Sequence, residues 1–193
     1  MGLDWEQRYQ SLDTPWDRGE PSPGLLEFLP NHPLLGEILV VGCGYGRDVR
    51  ALAHQGGRLV GVDLAPSAIA LAQTLPPISD ETYQVADIFN LPRELQTRFD
   101  WVWEHTCFCA IAPDLRPHYV EAVATALKPA GKLLAVFFLN PPNQGNSPPY
   151  GVTVAELDKL FADQFTLLQD WQPTQAHPGW EGRERMRLLQ KNG

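Results

Sequence analysis

The sequence has little of what would tie it to a polyanion or a membrane. Its 15 lysines and arginines are outnumbered by 23 aspartates and glutamates, for a formal net charge of −8 at pH 7. With no basic field to attract it, nucleic acid is not an expected partner, and a small neutral or cationic ligand fits better. No apolar run approaches the ~18 residues of a membrane span, so no membrane partner is expected. The N-terminal MGLDWEQRYQ lacks the apolar core of a secretory signal. Only three cysteines are present, Cys43, Cys107 and Cys109, and three cannot all pair. Reduced thiols and a cytoplasmic location are expected. Cys107 and Cys109 read as alternating along a strand and packing there. Neither a second C-x-C pair nor a nearby His-x-x-x-His accompanies them, so no metal is expected. Internal repeats are absent.

What is present is a rhythm. Glu37–Val41, Arg58–Val62 (RLVGV), Thr82–Val85, Phe99–Trp103 (FDWVW) and Lys132–Phe138 read as strands. Helical patterns fall between them at Arg47–His54, Ser67–Thr74 and Leu115–Leu127, the last ended by KPAG. Continuous apolar strands alternating with helices imply a parallel sheet covered on both faces. After Phe138 a proline-rich loop precedes a capped helix at Thr153–Phe161. Phe165–Trp171 and Glu184–Leu189 then follow with no helix between them, which predicts antiparallel pairing. The fold class is therefore α/β: a doubly wound, mostly parallel seven-stranded sheet ending in an antiparallel hairpin. The 193 residues form one domain. Residues 1–23, aromatic, charged and proline-bearing, stand outside the alternation as a short helix and loop. Leu25–Leu29 adds a short helix.

The first strand runs into LVVGCGYGRDV, with Gly42, Gly44 and Gly46 before a helix. Glycines allow a tight turn and a close backbone approach to a ligand, and the helix aims its N-terminus at it. Ligands of open α/β sheets bind beyond the carboxyl ends of the strands. The dinucleotide fingerprint G-x-G-x-x-G/A is not met, because Arg47 stands where a small residue is needed, and this disfavours a nicotinamide cofactor. Asp63 ends the second strand, where a carboxylate can accept both ribose hydroxyls. Asp87 follows the third, where it can meet an adenine amino group. Glu37 stands too early to be an additional acid before the glycines. An acid at each strand end beside this turn resembles the class I S-adenosylmethionine-dependent methyltransferases.

The flanking motifs narrow the resemblance. WEQRY…TPWDRGEPSPGL, VVGCGYGRDV, GVDLAPSAI, EHTCFCAIAPDLRP, LKPAGKLLAVFF and PPYGVTVAEL together resemble the thiopurine methyltransferase family, over nearly the whole chain. Within it they are most similar to the branch of plant halide/thiol methyltransferases and related bacterial proteins. The resemblance implies S-adenosylmethionine as cofactor, S-adenosylhomocysteine as product, a monomer, and an N-terminal lid carrying Trp5, Tyr9 and Trp16. Tyr9 replaces a second tryptophan, and Asp17 caps or anchors the lid. Aromatic faces attract cations, and the donor is a sulfonium. The implied cofactor residues are Trp5, Tyr9, Trp16, Gly42, Gly44, Gly46, Asp63, Leu64, Asp87, Ile88 and His105.

His105, where the plant branch has tyrosine, and Tyr150 are the implied catalytic residues. The expected acceptor wall is drawn from His105, Phe108, Tyr150 and the loop before Arg183. The implied acceptor is a small soft nucleophile: a thiol, hydrosulfide, halide or chalcogen oxyanion. A non-catalytic S-adenosylmethionine sensor and a nicotinamide-dependent oxidoreductase are the competing readings.

Overall fold

In the computed structural model, which describes residues 3–139, 141 and 147–193, the apolar runs become one seven-stranded sheet of order β3-β2-β1-β4-β5-β7-β6. β1 (Glu37–Val41), β2 (Arg58–Asp63), β3 (Glu81–Val85), β4 (Phe99–His105) and β5 (Leu127–Phe138) run parallel. β6 (Phe165–Trp171) lies at the edge, and β7 (Glu184–Lys191) sits between β5 and β6, antiparallel to both. The connection from β5 to β6 passes through a helix and leaves one strand position open. The helix-free return from β6 fills it, which a direct link between consecutive strands permits only antiparallel.

The helices are α1 (Trp5–Gln10), α2 (Pro23–Phe28), α3 (Arg47–Ala53), α4 (Pro66–Ala72), α5 (Arg116–Ala126) and α6 (Val154–Phe161). Side chains of a strand alternate between faces, and the two faces build two cores. Leu39 and Val41 face a core shared with α5 and α6, through Tyr119, Val123, Leu157 and Phe161. Ile38 and Val40 face a second core with α2 and α3, through Leu25, Phe28, Val49 and Leu52. α6 carries the expected cap as a full capping box: Glu156 N donates to Thr153 Oγ1 at 3.2 Å, and Thr153 N donates to Glu156 Oε2 at 2.7 Å. No helix among the described residues is long and apolar enough to cross a membrane.

Three expectations change. Cys107 and Cys109 do not lie on a strand. β4 ends at His105, and Phe108–Ala110 form a 3-10 turn. Glu104 Oε1 accepts the amides of Cys107 (3.0 Å) and Phe108 (2.8 Å), which bends the chain out of extension. His105 is accordingly the last residue of β4 rather than one that follows it. KPAG is not a loop closing α5. Those residues belong to β5, where the register jumps from Phe99 opposite Leu127 to Trp101 opposite Lys132, with Ala130 at φ 59°. Part of the loop expected before Thr153 (Asn140 and residues 142–146) lies outside the described residues, as do residues 1 and 2 of the N-terminal segment.

Phe137 is fully buried, with ring centroids 5.1 Å from Phe108 and 5.5 Å from Phe161. Phe137→Ala is expected to cost about 3–5 kcal/mol, read from the urea midpoint at unchanged m-value. A loss below about 1 kcal/mol would show that this core refills the space.

Candidate active site

A cavity of about 530 Å³ opens beyond the carboxyl ends of the strands. Val62, Asp63 and Leu64 close off β2, Ala86 to Phe89 follow β3, and Thr106, Cys107 and Cys109 to Ile111 follow β4. Phe138 ends β5. The N-terminal segment adds Trp5, Arg8, Tyr9, Pro15 and Trp16, and Trp180 comes from the loop before β7. A smaller, polar cavity of about 60 Å³ lies against it. Tyr9, Trp16, Gly42 and Thr106 line both. Asp17, Arg18, Arg47, Asp48, His105 and His177 face the small one.

The glycine turn is held by Asp63. Its Oδ2 accepts the Gly44 amide and its Oδ1 the Ala65 amide, both at 2.9 Å. Burial pushes its carboxyl above the ordinary range, opposed by those amides. A carboxylate offers about four acceptor positions, so two remain for ligand hydroxyls. Gly46 caps α3 at φ 76°, and a Cβ there would meet the Tyr83 ring at 2.7 Å. Gly46 therefore serves turn geometry and packing and lies on neither cavity. Asp87 lines the large cavity while its Oδ1 accepts the Phe89 amide at 2.9 Å.

The N-terminal segment is fixed at several points. Glu6 accepts from Ser67 N (2.9 Å) and Ser67 Oγ (2.6 Å) at the start of α4. Asp17 takes Arg47 Nε and Nη2 at 3.1 and 3.2 Å, the anchoring contact expected of it. Arg18 donates to the Pro178 carbonyl at 3.1 Å. Trp16 Nε1 donates to Tyr9 Oη at 3.2 Å, with Trp5 edge-on to Trp16.

The expected acceptor wall needs correction. His105 faces the small cavity, not the large one. Its Nδ1 lies 3.1 Å from Asp48 Oδ2, and its Nε2, buried without a hydrogen bond, points toward Glu184 at 3.9 Å. Phe108 is a core residue packed edge-on against Tyr119 and Phe137. Tyr150 is held through its backbone: its amide donates to the Cys109 carbonyl, and its carbonyl accepts Arg116 Nη2 at 3.1 Å. The neighbouring Pro148 and Pro149 line the large cavity in its place. Trp180 is the part of the expected wall that lies there. The apolar face of the large cavity carries Cys107, Cys109, Ala110, Ile111, Phe138 and Trp180. Burial raises the Cys107 thiol well above its ordinary value and pushes Cys109 up to about 12, so neither is a nucleophile at neutral pH.

Sequence reasoning missed Asp48, which accepts Ser22 N (2.7 Å), Trp103 Nε1 (2.8 Å) and His105. The one signal was an acid in the first turn of α3; its partners on β4 are 55 and 57 residues away. Glu104 was also missed. Burial pushes it up to about 7 against the Phe108 amide and the Tyr119 hydroxyl, which hydrogen-bonds its Oε2.

A doubly wound sheet with this antiparallel end, a glycine turn held by an acid on β2 and a cavity over the strand ends define the class I methyltransferase fold. Solved structures share it. A chain from a study of disulfide-to-thioacetal conversion in echinomycin biosynthesis superposes with TM-score 0.79 at 21% identity, covering 97% of this chain and 91% of that one. The 1,6-didemethyltoxoflavin-N1-methyltransferase of Burkholderia thailandensis, solved with S-adenosylhomocysteine, superposes with TM-score 0.76 at 21% identity, covering 98% and 86%. The family model for thiopurine S-methyltransferase matches residues 3–185, and the chain belongs to that family. Among curated relatives, a probable thiol methyltransferase 2 of Arabidopsis thaliana is 34% identical over 81% of this chain and 70% of its own. Thiocyanate methyltransferase 1 of the same plant is 31% identical over 94% and 82%. The protein is an S-adenosylmethionine-dependent methyltransferase, and nothing supports the oxidoreductase or sensor readings.

Two predictions follow from this geometry. Because Asp63 holds the turn as well as facing the cavity, Asp63→Asn should lower stability by about 1–2 kcal/mol. It should also weaken S-adenosylhomocysteine binding tenfold or more (about 1.4 kcal/mol). Calorimetry showing unaltered affinity in the folded variant would make Asp63 a turn residue alone.

The second concerns pH. Burial would lower the His105 pKa, but the Asp48 charge and hydrogen bond outweigh it and hold it above its ordinary value. Burial would raise Asp48, yet His105, Ser22 and Trp103 hold it low. The His105 contribution is complete below about pH 6.5 and is lost as pH rises through the elevated folded value. The Asp48 contribution is present above about pH 3.9 and is lost as pH falls through its depressed value. Wild type should therefore lose stability as pH rises above about 6.5 through the elevated His105 value, while His105→Gln, less stable by about 3 kcal/mol or more near pH 6, should lack that slope. Parallel pH–stability curves would remove the pair from this account.

Proposed function

We propose that this enzyme methylates a small, soft nucleophile such as a thiol, hydrosulfide, halide, thiocyanate or chalcogen oxyanion. In this reading the chain is a single monomeric domain with residues 1–23 as its lid. The observation that carries it is the wall opposite the nucleotide-type acids. Cys107, Cys109, Ala110, Ile111, Phe138 and Trp180 form an apolar part of the large cavity's wall with no histidine among them. The relatives named for thiol and thiocyanate methylation support the same class.

The residues fit the cofactor. Asp63 retains acceptor positions for ribose hydroxyls, Asp87 and Ile88 flank a place for a base, and Leu64 stands half-exposed beside them. Trp5, Tyr9 and Trp16 offer aromatic faces toward a cation. The polar small cavity, with Arg18, Asp17 and Gly44 on its wall, suits an amino-acid tail. When bound, S-adenosylmethionine supplies an electrophilic methyl carbon whose bonding pair stays on the donor sulfur. The protein's contribution is alignment and water exclusion. Such positioning can supply ~7–11 kcal/mol, and a dry apolar wall strengthens the attraction between an anionic nucleophile and a cationic donor. A soft anion needs no base, and a thiol can lose its proton to solvent before entry.

Label transfer from methyl-labelled S-adenosylmethionine to a panel of these acceptors tests the reading. Product is expected with at least one soft nucleophile, and none from a chain lacking residues up to Asp17. Turnover on a macromolecule alone, or full activity after the truncation, would overturn the acceptor class or the lid respectively.

A further inference from the structure

Among the described residues, the wall of the large cavity carries one cationic side chain, Arg8. It stands on α1, and its guanidinium carbon lies 4.5 Å from the Trp16 ring centroid and 6.0 Å from that of Trp5. Its Nε donates to Asp13 at 3.0 Å. No other side-chain hydrogen bond of Arg8 is present among the described residues, which leaves the Nη N–H groups open to a ligand. Asp13 is 63% exposed, so this pairing is screened by water and cancels little of the Arg8 charge within the cavity. The two carboxylates on the same wall are already turned to backbone amides, Asp63 to Gly44 and Ala65, Asp87 to Phe89. In a protein of net charge −8, an approaching anion is repelled almost everywhere. Among the described residues, Arg8 is the one positive charge on this wall, set against the carboxylates of Asp63 and Asp87.

We propose that Arg8 recruits the methyl acceptor as a monoanion, through its Nη N–H groups, on the lid side of the cavity. This rests on the acceptor reading given above. A thiol acceptor is bound as thiolate, its proton released to solvent. Neutral oxygen or nitrogen nucleophiles gain nothing from Arg8 and are disfavoured. The other role open to Arg8 is packing, as a cation stacked on Trp16, and the two differ in what they affect. Packing loosens the whole lid and with it the cofactor, whereas anion recruitment touches the acceptor alone.

Iodide and thiocyanate are suitable probes, being anions at every working pH. Iodide quenches tryptophan emission on contact, and Trp5 and Trp16 flank Arg8. The full-length protein is expected to show a saturable quenching component that Arg8→Gln loses and Arg8→Lys keeps. In turnover, Arg8→Gln should raise KM for thiocyanate about tenfold or more, the loss of one charge-assisted hydrogen bond, with kcat within about twofold. S-adenosylhomocysteine affinity should be unchanged. Wild-type quenching and KM in Arg8→Gln would overturn the proposal. So would a parallel loss of acceptor and cofactor affinity that Arg8→Lys fails to restore. If the wild type turns over none of the soft nucleophiles, the acceptor reading fails by itself, and the iodide measurement still decides whether Arg8 binds an anion.

Discussion

The site depends on one largely enclosed carboxylate that has to be satisfied. Asp48 sits in the first turn of α3, and leaving its charge unpaired there would cost several kcal/mol. Its three partners come from two places: the Ser22 amide at the N-cap of α2, and the Trp103 indole and His105 imidazole on β4. Trp103 is itself fully buried, and its N–H needs an acceptor. Satisfying Asp48 thus fixes α2, α3 and the end of β4 relative to one another. The glycine turn lies between these elements. Asp63 then holds the turn from the β2 side, so two carboxylates on neighbouring strand–helix junctions set its shape.

Two cavities of opposite chemistry result. The small one gathers Asp17, Arg18, Arg47, Asp48, His105 and His177 around the turn. His177 stacks against His105 with ring centroids 6.1 Å apart, and burial together with the His105 charge lowers its pKa. In the small cavity Asp17 pairs with Arg47 and Asp48 with His105, while Arg18 donates to the Pro178 carbonyl. The large cavity is walled mainly by aromatic and aliphatic groups. Tyr9 and Trp16 form the partition, and both belong to the N-terminal segment. That segment is held to α4 by Glu6, to α3 by Asp17 and to the 177–180 loop by Arg18. Each contact is polar and at least partly exposed, the kind that opens more readily than a core.

Periodicity made the sheet legible. Continuous apolar runs such as LLAVFF have few alternatives to a buried parallel strand, and the absence of a helix between β6 and β7 sufficed for their antiparallel pairing. Chain geometry also made the positions of Asp63 and Asp87 legible, because strand ends converge on the ligand side. What local pattern could not supply was anything decided by a distant partner. Cys107 and Cys109 alternate like strand residues, but Glu104, three residues before Cys107, captures two amides and turns the chain. His105 occupies the position expected at the acceptor, but Asp48, 57 residues earlier, holds it on the other side of the partition. Tyr150 is named by a motif whose backbone is placed by distant partners: the Tyr150 amide on Cys109, and the carbonyls of Tyr150 and Gly151 on Arg116.

The displacement of His105 from the acceptor wall bears on how little acid–base chemistry the proposed reaction requires. A general base is worth most where the nucleophile is a poor one at the working pH. The groups along the large cavity are badly suited to that task. The thiols are held protonated by burial, and the Tyr9 hydroxyl is raised by burial and by Asp63. Asp63 holds one amide on each oxygen, and in the proposed reading its remaining acceptor positions go to ribose hydroxyls. The apolar part of the wall, from Cys107 to Ile111 with Phe138 and Trp180, carries no carboxylate or imidazole to take the proton of a hydroxyl or amine acceptor. An acceptor that is already an anion, or a thiol acidic enough to become one in water, asks only for a dry wall and a counter-charge. Phe138, Ile111 and Trp180 supply the first, and Arg8, with the sulfonium donor, is placed to supply the second. On the proposed reading, the same apolar wall favours nucleophiles that need no base.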